Sequence, residues 1–88
     1  MQADMGNDIL RSAAFGGYEK ADVIETLDAL NLAKLSYEEG AVPLAELKRT
    51  ADKIAAHKFK KAVTGGFNKQ DVEDYFRSLC DEIRNMTE

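Results

Sequence analysis

The chain has no tryptophan, one proline (Pro43), one cysteine (Cys80) and one histidine (His57) among its 88 residues. A lone cysteine excludes an internal disulfide, and the start "MQADMGND" has neither a basic flank nor an apolar stretch. The expectation is therefore a cytoplasmic chain without a secretory signal. A lone histidine cannot build a His-containing metal cluster, and no cysteine or carboxylate stands at a diagnostic ligand spacing from it. No run approaches the roughly 20 apolar residues of a membrane span. The glycine pairs carry neither the dinucleotide fingerprint nor the Lys-Ser/Thr ending of a phosphate loop. A net charge of −4 argues against a general nucleic-acid binder. The carboxylates Asp22, Glu25, Asp28, Asp71, Glu73 and Asp74 suit helix starts and solvated faces, where the dipole and water account for them. The reading is of a non-enzyme with no metal and no cofactor.

What the chain does have is one phrase written twice. "AAFGGYEKADVIETLDAL" (13–30) and "AVTGGFNKQDVEDYFRSL" (62–79) align at an offset of 49 residues. Gly65, Gly66, Lys69, Asp71, Val72 and Leu79 then fall on Gly16, Gly17, Lys20, Asp22, Val23 and Leu30. In each copy a glycine pair makes a turn, because glycine takes left-handed backbone without a Cβ penalty. An aromatic follows, Tyr18 or Phe67, placed to fold back on the coming helix as a hydrophobic staple.

Helical spacing runs through the rest. Asn7 predicts a cap for a short helix over 8–14, with Gly16 as its stop. Val23, Leu27, Leu30 and Tyr37 form a stripe that predicts a helix over 20–38, ended by Gly40. Pro43 suits the first turn of a second helix over 43–58, with Leu44, Leu47, Ala51 and Ile54 on its inner face. Asn68 caps the last helix, 69–86, with Asp71 three residues on. Val72, Phe76, Leu79, Ile83 and Met86 are spaced four, three, four, three, a two-heptad seam suited to self-association or to a partner helix. The copies differ on that seam, since Lys34 takes the place of Ile83, and Glu19 stands where the second copy has Asn68. The fold class that follows is all-α: one domain over 1–88, a small bundle of three main helices with an internal glycine–glycine–aromatic–helix repeat.

A Gly-aromatic turn, a polar pair, Asp-Val with an acidic residue and an aromatic-apolar seam resemble the N-terminal domain of DivIVA-like proteins. "GGFNKQDVEDYFRSL" is the closer copy and "GGYEKADVIETLDAL" the weaker. The resemblance implies an oligomeric scaffold of bacterial cell division or envelope organisation, which binds membranes or division partners. It also implies an apolar residue and an arginine before the Gly-Tyr turn, with a phenylalanine there inserting into the bilayer in some members. Phe15 matches that place, but Gly16 replaces the arginine, and Thr64 and Gly65 replace both in the second copy. Helix-seam behaviour carries over better than membrane binding.

The functional expectation is a non-enzymatic interaction module that homodimerises or docks on a protein partner, binds no nucleic acid and touches membrane weakly at most. Its candidate residues are the seam, the turn glycines Gly16, Gly17, Gly65 and Gly66, and a weak surface set: Phe15, Lys58, Phe59, Lys60 and Lys61. For "HKFKK" the first reading is a solvated linker whose aromatic packs inward, and the second is a small-anion or membrane-surface contact. The alternative is a small regulatory module holding a ligand or nucleic acid between its helices. His57 reads as a helix-end histidine and Cys80 as a small buried hydrophobe.

Overall fold

The computed structural model describes residues 10–87, and three packed helices make up the fold. They are α1 (Lys20–Glu38), α2 (Leu44–Ala55) and α3 (Lys69–Arg84). The apolar stripes read from the sequence form the core. Val23, Leu30, Leu47, Ala51, Val72, Cys80 and Ile83 have almost no accessible surface, and α2 packs against both other helices. Burying a valine or leucine completely stabilises by about 1.5–3 kcal/mol, so these few side chains supply most of what an 88-residue chain can gather.

Helix ends follow the local chemistry. At the end of α1 the Ala41 N–H reaches the Ser36 carbonyl at 2.8 Å and the Gly40 N–H the Tyr37 carbonyl at 3.0 Å. Gly40 has φ 81°, so this is a Schellman cap. Asn68 caps α3, its side chain accepting from the Asp71 N–H at 3.0 Å, whereas Glu19 makes no side-chain cap for α1. The second helix ends at Ala55, short of the predicted residue 58, because the chain must leave it to reach the second glycine loop.

The two glycine loops grip each other. No strand forms among the described residues, only isolated antiparallel bridges: Ser12 with Phe67, Tyr18 with Lys61, Phe15 with Thr64 and Tyr18 with Phe67. Three pairs of their hydrogen bonds are related by the offset of 49, and the Gly65 N–H to Ala14 carbonyl bond (3.0 Å) stands apart from them. The Ala13 N–H donates to the Gly66 carbonyl (2.9 Å) and the Ala62 N–H to the Gly17 carbonyl (2.7 Å). Tyr18 and Phe67 exchange N–H and carbonyl, both at 2.9 Å. The Glu19 N–H donates to the Lys60 carbonyl (2.8 Å), as the Asn68 N–H does to that of Arg11 (2.7 Å). The repeat is thus a pseudo-two-fold interlock within one chain.

This overturns one expectation. Residues 10–14 are not helical, because Arg11, Ala13 and Ala14 spend their backbone groups on the second loop, and a helix would consume them internally. The remainder of the predicted 8–14 helix and its Asn7 cap lie outside the described residues. The aromatics also reach the other copy. Lys69 Nζ lies 5.9 Å from the centre of the Tyr18 ring and Lys20 Nζ 5.2 Å from that of Phe67, so each aromatic sits by the other copy's helix start.

The glycines divide the labour. Gly16 and Gly65 have φ 68° and 69°, with open space where a Cβ would go. At Gly17 a Cβ would stand 2.5 Å from the Phe67 carbonyl oxygen, and at Gly66 2.5 Å from that of Tyr18; Gly66 also has φ 86°. Gly66→Ala therefore combines left-handed strain with a backbone clash and is expected to cost upwards of about 3 kcal/mol. Gly16→Ala meets only the strain, about 1–2 kcal/mol. Urea denaturation midpoints of the two variants check the ranking, and equal losses would show that close approach does not matter.

Candidate interaction site

The interlock positions everything exposed at its end of the molecule. Each helix start contributes one aspartate that clamps the other copy. Asp71 of α3 accepts from the Arg11 N–H at 3.0 Å, and its carboxylate takes Arg11 Nε at 2.8 Å and Nη2 at 2.9 Å. Asp22 of α1 accepts from the Lys60 N–H at 2.8 Å and meets His57 Nε2 at 3.1 Å. The offset relates both the aspartates and the N–H donors, since Arg11 maps on Lys60. The Arg11 hydrogen bonds hold the Asp71 carboxyl at about 2. The Lys60 N–H first, and His57 second, lower that of Asp22. His57 sits just beyond the end of α2, as a helix-end histidine should, and finds a carboxylate there.

Around this clamp the aromatics close ranks. Phe59 stands between Tyr18, His57 and Phe76, with ring centres 5.3, 4.8 and 5.2 Å away. It is half-buried against the core. The candidate surface set therefore splits: Phe59 is an internal wedge, while Lys58, Lys60 and Lys61 are exposed. The Tyr18 hydroxyl donates to Glu73 Oε2 at 2.6 Å, and that bond raises its pKa.

The tip of the two loops is apolar and open. Phe15 is 80% exposed and Val63 is 89% exposed, and Phe15 bridges Thr64 across the pseudo-two-fold. Gly16 and Gly65 turn the chain beside them. Sequence reasoning found Phe15 through the family pattern but missed Val63. The signal was present, because the offset places Val63 on Ala14, next to Phe15.

The seam went elsewhere. Val72, Phe76 and Ile83 are buried inside the bundle, and Leu79 and Met86 are half-buried against it. The helix that looked free to pair with a second copy spends its best residues on the chain's own α2. Cys80 lies in the same core, where burial pushes its thiol pKa up and leaves it a poor nucleophile. Beside it a groove of about 660 Å³ opens between α3 and residues 57–61, with Phe59 and Phe76 as apolar lining, Lys58, Lys61, Arg77 and Arg84 as cationic lining, and Glu73 as the one carboxylate.

Among the described residues no three histidine, cysteine or acidic side chains gather as a metal site, and no helix is long and apolar enough to cross a membrane. Comparison with protein-family models, with curated proteins and with solved structures gives no match.

The clamp has a pH signature. The folded Asp71 carboxyl, at about 2, lies below an unfolded value of roughly 3.9. Its contribution is full above the unfolded value and is lost as pH falls toward the folded one, and Asp22 shifts in the same direction. The urea midpoint is expected to fall as pH drops from about 5 to about 2. In Asp71→Asn the midpoint should be lower at pH 7 and fall less steeply in acid. A wild-type midpoint unchanged into this range would remove the clamp from the account.

Proposed function

We propose that this chain is a non-enzymatic, DivIVA-like interaction module of bacterial cell division or envelope organisation, and that it meets a protein partner or a second copy at the loop tip. The observation that carries this reading is the tip itself. Phe15 and Val63 are the two most exposed large apolar side chains described, Phe15 bridges Thr64, the neighbour of Val63, and the loops that carry them are joined by reciprocal backbone hydrogen bonds. Rigid, exposed apolar groups lose little entropy on contact and favour binding over solvation. Nearby titratable groups are engaged in structural pairs: Asp71 with Arg11, Asp22 with His57 and Lys60, Glu73 with Tyr18. Those pairings suit a structural role better than a reaction centre.

Self-association, on this reading, does not use the last helix's seam, which the bundle already covers. Membrane contact stays weak, because a single Phe–Val tip inserts little area and the chain carries a net charge of −4. The groove beside Cys80, with its cationic lining, favours one second reading: a regulatory module that holds a small anionic ligand.

A photo-crosslinking residue at Phe15, introduced in the native host, tests the main reading. Crosslinks to division or envelope proteins, or to another copy of the chain, are expected. A crosslinker at Lys58, beside the groove, should give none of these. Crosslinks from Phe15 that match those from Lys58 would defeat the proposal. Purified protein is expected to stay in the supernatant when spun with anionic liposomes, and robust pelleting lost in Phe15→Ala would reverse the membrane statement.

A further inference from the structure

The groove between α3 and residues 57–61 brings together cations, an aromatic ring and one carboxylate. We propose that it binds a nucleotide, with the base on Phe59, a base amino group on Glu73 and the phosphates on the cationic walls. This rests on the groove as the seat of a small anionic ligand, and names the class of that ligand. It is independent of what the loop tip meets.

Charge selects an anion. The chain carries a net charge of −4, yet this groove is lined by Lys58, Lys61, Arg77 and Arg84 against Glu73 alone. Such a concentration of one sign on a molecule of the other attracts counter-charged ligands. Lys58 and Lys61 are exposed and make no side-chain hydrogen bond or ion pair among the described residues. Arg77 meets Asp74 at 3.0 Å, and Arg84 meets Asp52 at 2.9 Å and Asp81 at 3.5 Å. Those carboxylates stand outside the groove's lining, and exposed pairs of this kind contribute little, so a phosphate can share either guanidinium.

Size and the aromatic cluster select an organic one. Arg77 and Arg84 lie two turns apart on α3, about 10 Å along the axis. One phosphate ion meets one of them, whereas a chain of phosphates spreads its charge along the wall. A volume of about 660 Å³ is that of a site for an organic ligand. Phe59 is half-buried, with the rings of Tyr18, His57 and Phe76 around it, and a planar base extends that cluster by stacking. Glu73 then selects among organic anions. Its Oε2 accepts from the Tyr18 hydroxyl at 2.6 Å, and its Oε1 has no protein donor among the described residues. A bare polyanion is repelled there, but a base amino group donates to it.

Calorimetric titration of the intact chain with ATP, without magnesium and at about 0.1 M salt, tests this. Inorganic triphosphate is the second arm. ATP should bind saturably and about tenfold or more tighter than triphosphate. Phe59→Leu should weaken ATP about tenfold and leave triphosphate unchanged. Should that variant fail to fold, the exposed lysines carry the test: Lys58→Gln and Lys61→Gln together should weaken ATP about tenfold or more. Arg49→Gln, which removes a charge outside the groove, should leave ATP binding as it is. Triphosphate binding as tightly as ATP overturns the nucleotide and leaves the small-anion reading standing. Binding of neither overturns both. ATP affinity that survives the loss of both lysines puts the ligand elsewhere and overturns the proposal.

Discussion

The structure depends on the reciprocal hydrogen bonding of two glycine loops. Each loop alone would present N–H and carbonyl groups with no partner, and such groups cost free energy when buried. Together they satisfy each other, and the close approach of Gly17 to Phe67 and of Gly66 to Tyr18 is possible only because neither glycine has a Cβ. Everything else follows from that contact. It sets where α1 and α3 begin, puts Asp22 and Asp71 against the opposite copy's backbone, and sets Phe15 across from Thr64, the neighbour of Val63.

Placing both copies on one chain changes what each copy must do. Loops that would otherwise find each other by diffusion are tethered, so their pairing does not depend on protein concentration. The copies are also free to differ, because α2 covers one side of the pair only. The helix side toward α2 carries Phe76, Cys80 and Ile83, all buried. The related positions on α1 are Leu27, Asn31 and Lys34, none of them fully buried. The replacement of Ile83 by Lys34 in the first copy is therefore the consequence of a fold that is two-fold in its loops and one-sided in its helices.

That asymmetry leaves the exposed large apolar side chains in two places. Phe15 and Val63 share the loop tip, while Ile24, Leu32 and Leu35 lie on the outer faces of α1. The polar clamps are at the helix starts, and the exposed apolar side chains take no part in their hydrogen bonds. A scaffold head with the DivIVA-like character we propose could present either surface without disturbing the bonds that keep it folded.

The sequence determined the helices, their order and the glycine conformations. These depend on local physics: spacing at 3.6 residues per turn, Asn68 at a cap, Gly40 at a Schellman turn, and left-handed backbone at Gly16, Gly65 and Gly66. It also exposed the repeat, because an offset of 49 is visible without coordinates. Tertiary structure decided how the copies use that repeat. A stripe such as Val72-Phe76-Ile83 looks the same whether another copy or the chain's own α2 covers it, so its fate is a matter of topology. The same holds for residues 10–14, whose helical spacing gave way to cross-loop pairing with partners some fifty positions away in sequence. Phe59 shows the rule on a single side chain. Among three lysines it can pack inward or face an anionic surface, and the loop that carries it takes the inward course between Tyr18, His57 and Phe76; long-range packing decides between the two.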